Sequence, residues 1–283
     1  MERPGKQDTT ESMLSAGMQA DHPQVWRIIS GSTLKMIAVI TMLIDHFAAG
    51  VLGRYLMMRG ANNLDWNDMA AYDQWMEQNE SLIQAYNIMR DIGRVAFPIY
   101  CFLLVEGFMY TKNRKKYAGR LLLFAFISEI PFDLLFRGSL MDFSYQNVFF
   151  TLFFGMLAMM GMDWAVKREK PLAVKVLLAS ASAGICMLAA KLMLTDYAEL
   201  GVLCIIIMFL LRNIRELQIA AGSCSFLFFL NETAAPYAFI SIAMYNGKRG
   251  WKMKYFFYLF YPVHLLLLYL LCRALGIASY SAW

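Results

Sequence analysis

Apolar runs alternate with short polar breaks along most of the chain. The runs fall at 33–52, 92–111, 117–136, 147–166, 172–193, 198–213, 217–231, 234–246 and 255–274. A bilayer's hydrocarbon core needs about 20 apolar helical residues to cross it. The pattern therefore predicts an all-α, polytopic helical membrane protein with about nine transmembrane helices. The sixth to eighth runs are short, and their borders are the least sharply marked.

The breaks differ in charge. Lys112, Arg114, Lys115, Lys116 and Arg120 follow the second run; Lys167, Arg168, Lys170 and Lys175 follow the fourth. Arg212 and Arg215 follow the sixth; Lys248, Arg249, Lys252 and Lys254 follow the eighth. Every second break is basic, and basic connections stay in the cytoplasm. The expected topology has the N-terminus inside and the C-terminus outside. Three regions follow: a polar cytoplasmic leader at 1–30, expected to be disordered; a transmembrane domain at 31–275; and a short extracytoplasmic tail at 276–283. The leader carries no apolar stretch with a cleavage site, so no secretory signal is expected. The one long break, 53–91, falls outside and reads as a solvated linker with short interfacial helices, or as a lid.

Composition agrees with that class. The 283 residues are 59% hydrophobic, against about 45–50% in soluble domains, and the mean hydropathy is +0.46. The net charge of +5 sits in the breaks between apolar runs, as topology requires, so no nucleic-acid partner is expected. The cysteines, Cys101, Cys186, Cys204, Cys224 and Cys272, lie in apolar runs without paired spacing. They read as packing residues, with neither a disulfide framework nor a metal site.

The polar residues inside the runs carry the chemistry. Asp45 and His46 lie deep in the first run, where a titratable group marks a functional site by default. Arg94 and Glu106 bracket the second run, with Pro98 as a candidate kink. Glu129 and Asp133, four apart, share a helix face in the third, with Pro131 between them. Arg94 is the obvious cation for that acidic face; a structural ion-pair network is the plainer alternative. Asn147 opens the fourth run, where a helix cap is the simple reading. His264 lies near the middle of the ninth, behind Pro262. Heights above the cytoplasmic helix ends, at about 1.5 Å per residue, are about 20 Å for His46, 18 Å for Glu129, 24 Å for Asp133, 25 Å for Arg94 and 14 Å for His264. These side chains converge between mid-membrane and the outer leaflet. Lys35 and Glu106 lie nearer the cytoplasm.

Five stretches in order resemble one family. They are Leu34-Lys35 through Asp45-His46; Arg94-Val95-Ala96-Phe97-Pro98-Ile99 with Glu106-Gly107; Ser128-Glu129-Ile130-Pro131-Phe132-Asp133; Asn147-Val148 with Thr151-Leu152; and Phe260-Tyr261-Pro262-Val263-His264-Leu265. Together they resemble the TraX family, over about 33–274. That family is named for the enzyme that N-acetylates the terminal residue of conjugative F-pilin. It is similar to membrane acyltransferases that use cytoplasmic acetyl-CoA and modify extracytoplasmic acceptors.

The resemblance implies a bacterial cytoplasmic-membrane acetyltransferase, with acetyl-CoA as co-substrate and no metal. The acceptor is an extracytoplasmic amine or hydroxyl, with N-acetylation favoured. His46 is then the expected general base, because its ordinary pKa suits the task. Asp45 projects about 100° away around the helix, so Glu129 or Asp133 is as well placed to orient the ring. Arg94 orders the acids or binds an acceptor carboxylate, and His264 is the alternative base. Lys35, Lys112, Lys115, Lys116 and Arg120 are expected to form a basic rim for the phosphates of CoA, with Glu106 and Asn147 on the cofactor side. A proton-coupled transporter using Glu129, Asp133 and His264 as a relay is the alternative. The odd number of runs and the lack of a visible internal repeat weigh against it.

Overall fold

The computed structural model describes residues 26–65, 67–252 and 254–281. The expected disorder of the leader over 1–25, which contains His22, and the loop position of Trp66 lie outside the described residues. The fold is all-helical, with two isolated bridges, Ile29 to Tyr245 and Gln146 to Thr195, as its extended pairings among the described residues.

The first helix, α1, runs Gly31–His46, capped by the Ser30 hydroxyl, which accepts from the Thr33 N–H. It passes through a π-helical turn, Phe47–Leu52, into α2, Gly53–Met58. Next come α3, Met69–Gly93; α4, Ala96–Tyr110; and α5, Arg114–Phe136. They are followed by α6, Val148–Val166; α7, Leu172–Leu192; α8, Ala198–Leu210; and α9, Arg215–Phe229. A 3-10 turn, Ala235–Tyr237, leads into α10, Ala238–Ala243, and α11 runs Lys254–Ala274.

Five helical stretches are long and apolar enough to cross a membrane: Gly31–Met58, Met69–Tyr110, Val148–Val166, Leu172–Leu192 and Tyr255–Ala274. They correspond to five of the nine expected spans. The expected third span is present as α5, which carries a basic first turn together with Glu129 and Asp133. The sixth to eighth form shorter helices. The 13 residues of α8 reach only about 20 Å at the usual rise.

The break at 53–91 departs most from expectation. Much of it is α3, a single helix of 25 residues capped by Asp68, whose Oδ1 accepts from the Ala71 N–H at 3.0 Å. This helix packs antiparallel along α1 and the π turn. Pro98 does not kink a span. It sits in the first turn of α4, where a missing N–H is tolerated, and its ring excludes helical pairing to the Arg94 carbonyl. That accounts for the break between α3 and α4 at Arg94–Val95.

Gly93 lets α3 close on α1. A Cβ there would lie 2.2 Å from the Asp45 Cβ. Overpacking of this kind costs about 1–3 kcal/mol, so Gly93→Ala is expected to lower the thermal midpoint. Gly184→Ala, in open space on α7, is expected to be neutral or slightly stabilising. A thermal unfolding series on the two variants checks the contrast.

The central helix is α6, against which α5, α7 and α8 pack. Helices α1, α11, α5, α6 and α4 close a ring, with α11 leaning on both α1 and α5. The bundle has two chemically distinct ends. At one end Arg27 approaches Glu216, Arg114 pairs with Asp163, and Gly31 and Ser32 donate to the Lys248 and Arg249 carbonyls. At the other end Arg54, fully buried, donates to the Leu134 and Leu135 carbonyls that end α5 (3.0 and 2.7 Å). It also reaches the Ala278 carbonyl (2.5 Å) and the Tyr280 carbonyl. One guanidinium thus satisfies carbonyls left without helical donors and pins the segment after α11 to the end of α5.

Candidate active site: a histidine pair beside a basic-ended cavity

His46 ends α1 immediately before the π turn, a feature that recurs at functional sites. His264 is in α11, and the two rings meet: His46 Nδ1 is 2.7 Å from His264 Nε2. The heights expected from sequence differed by about 6 Å at the usual rise, yet the side chains touch. The reason is that α1 starts level with residues 248 and 249, to which it bonds, several residues before α11 begins.

Hydrogen-bond chemistry gives the pair a direction. His264 Nδ1 is 2.7 Å from the Phe260 carbonyl. A carbonyl only accepts, so Nδ1 carries the proton. In an uncharged imidazole Nε2 is then a lone pair, and His46 Nδ1 must donate to it. That leaves His46 Nε2 as the bare nitrogen, available as an acceptor or base. Aromatic rings hold the pair. Phe260 stacks on His264 at 4.5 Å, and Phe136 and Tyr261 stand edge-on to His46 at 5.5 and 5.8 Å.

The other expected residues take partners of their own. Asp45 turns away, as the helical angle requires, and pairs with Arg90 of α3 at 2.7 Å. Arg94 does not hold the acidic face of α5. It pairs with Glu232 at 3.0 Å and bonds the Tyr197 hydroxyl. The start of α4 faces α8 and the turn before α10, while α5 packs on α6 and α11. Height along a helix placed Arg94 level with Asp133; azimuth separates Arg94 from that acidic face.

Asn147 caps α6 through Oδ1, which accepts from the Phe149 N–H at 3.0 Å. Its amide also donates to the Ala125 carbonyl (2.8 Å) and to Glu129 Oε2. It is therefore a buried tie between α5 and α6 that steadies Glu129, and it lies outside the cavity lining. Asp133 Oδ2 accepts from the Asp142 N–H at 2.8 Å. Hydrogen bonds from Ser144 hold the loop residue Asp142's carboxyl below its usual range. Ser128 Oγ, Glu129 Oε1 and Asp133 Oδ1 are buried and have no partner among the described residues. Part of α5 thus carries spare hydrogen-bonding capacity.

A cavity of about 610 Å³ fills the ring of helices. It begins at the basic end, at Gly31, Thr111 and Arg249, and reaches Met42, Phe149 and Tyr261 in mid-bundle. Gly31 to Met42 is about 17 Å at the helical rise. Lys35 and Arg120 line it as expected; Lys112, Lys115 and Lys116 do not, and are exposed. Arg249 takes their place. Lys35 lies over the Phe257 ring at 5.3 Å, and Arg120 bonds the Tyr258 hydroxyl. Glu106 also lines it, accepting from the Tyr245 hydroxyl with Arg215 close by.

Sequence reasoning missed Arg90, Glu232, Arg249 and Tyr261. Arg90 was hidden by reading its helix as a linker. Glu232 sits in a short break without apolar context. Tyr261 was passed over as one aromatic among many in 255–261.

No solved structure matches the chain. A protein described as probable fimbrial assembly protein FimC, serogroup H1, from Dichelobacter nodosus is 30% identical over 259 residues, covering 84% of this chain and 94% of that protein. The family model described as TraX protein matches residues 30–272, a stretch that contains both histidines, the cavity and the acidic face of α5. The chain belongs to the TraX family.

Proposed function

We propose that this protein is a membrane acetyltransferase that takes acetyl from cytoplasmic acetyl-CoA and passes it to an extracytoplasmic amine or hydroxyl. The observation that carries this reading is the directed histidine pair, with a bare His46 Nε2, next to a long cavity entered from the basic end. Membership of the TraX family and the likeness to a fimbrial assembly protein make a pilin-like peptide N-terminus the first acceptor to try.

Acetyl-CoA supplies an activated acyl group as a thioester. The residues present suit it: Lys35, Arg120 and Arg249 offer cations at the entrance for phosphates, and the aromatic interior suits an uncharged arm. His46 Nε2 accepts the acceptor's proton as the new bond forms. His264 holds the tautomer that leaves Nε2 bare. The basic end faces the cytoplasm in this reading, following the positive-inside rule.

A hydrogen bond to a charged group is worth about 1.5–3 kcal/mol, or a factor of ten or more in affinity. Lys35→Gln with Arg120→Gln is therefore expected to raise the apparent KM for acetyl-CoA at least about tenfold. The acceptor KM should stay unchanged. Lys112→Gln, Lys115→Gln and Lys116→Gln together should change neither. Steady-state kinetics on purified protein in lipid nanodiscs test this. Equal effects from the two sets would remove the cavity from donor binding.

A further inference from the structure

The cavity and the histidine pair do not communicate directly. Neither histidine lines the cavity, and Tyr261 does. Tyr261 lies three residues before His264, so both share a face of α11. Its ring stands edge-on to His46 at 5.8 Å, to His264 at 5.6 Å and to Phe149 across the cavity end at 5.0 Å. It is 3% exposed. Its hydroxyl lies beside the Val148 N–H in the first turn of α6, one of the donors a helix leaves unpaired. The ring therefore bridges α11 and α6 and closes the inner end of the cavity. The next residue, Pro262, removes the helical hydrogen bond to the Tyr258 carbonyl, so α11 is least constrained at this ring.

We propose that Tyr261 is a shutter between the cavity and His46, opened by swinging its ring away from Phe149. The proposal rests on the acetyl-donor reading for its purpose: a closed shutter keeps a thioester in the cavity away from the base. With the shutter removed, His46 Nε2 takes a proton from water. The water oxygen bonds the acyl carbon and the carbon–sulfur bond breaks. The leaving sulfur takes the proton back from His46, giving free thiol and acetic acid, which then loses its own proton to water as acetate.

The test separates the shutter from the donor. His46→Cys is made with Tyr261, Tyr261→Phe and Tyr261→Ala in the full chain. Each protein is treated with a small cationic methanethiosulfonate, and labelling at position 46 is followed by peptide mass spectrometry. The expected rates rise from Tyr261 through Tyr261→Phe, which keeps the ring but loses the hydroxyl beside Val148, to Tyr261→Ala, at least tenfold faster than the parent. If Tyr261→Ala fails to fold, a several-fold rise in Tyr261→Phe carries the same conclusion. Equal labelling in every folded variant overturns the shutter. In parallel, Tyr261→Ala with His46 intact is expected to hydrolyse acetyl-CoA without acceptor at least tenfold faster than wild type. Labelling that depends on Tyr261, in a protein that turns over no acetyl-CoA, would keep the shutter and overturn the donor.

Discussion

His46→Ala is expected to fold, to bind acetyl-CoA as tightly as wild type, and to lose about 10²–10⁴-fold in kcat, the range for removing a general base. Binding survives because Lys35, Arg120 and Arg249 line the far part of the cavity, which His46 does not line. His264→Ala should cost less. It removes the acceptor for His46 Nδ1–H at 2.7 Å and frees the ring to adopt the other tautomer, but leaves a base in place. His264→Gln, which can offer an oxygen to the same N–H, should recover part of that loss. Single-turnover kinetics on the three variants check the order. A larger loss for His264→Ala than for His46→Ala would reverse the two roles.

The second large effect is on stability. Asp45 and Arg90 have side chains only 16% and 15% exposed and lie 2.7 Å apart. Removing one partner of a buried pair costs about 3–5 kcal/mol, because the other charge is left without compensation. Arg90→Ala is therefore expected to lower the thermal midpoint by on the order of 10 °C. Arg90→Ala with Asp45→Ala removes both charges and should recover much of the loss. Thermal unfolding of the two single variants and the double variant measures the coupling. Additive losses would show that the pair is not a unit.

How much of this was legible in the sequence follows from what each signal encodes. Apolar runs located the helices because burial in lipid demands them, and the deep polar residues marked the right region of the bundle. Composition could not find α3, whose sequence is polar on most of its surface and helical mainly through its packing along α1. Helix height placed Arg94 level with Asp133, but height carries no information on azimuth, and Arg94 faces Glu232 instead. The same arithmetic set His46 and His264 apart, because it assumed that helices start level. The basic rim was half legible. Lys35 and Arg120 line the cavity, while Lys112, Lys115 and Lys116 share their charge and neighbourhood but not its lining.

The central claim is that acetyl leaves a thioester in the cavity and reaches an acceptor by way of His46. Purified wild-type protein in nanodiscs, given acetyl-CoA carrying a labelled acetyl group and a peptide with a free pilin-like N-terminus, tests it most directly. Labelled peptide and free CoA are expected in equal amounts, with both rates falling together in His46→Ala. Folded wild-type protein that yields neither product, or a His46→Ala protein that yields both within a few-fold of wild type, would contradict it.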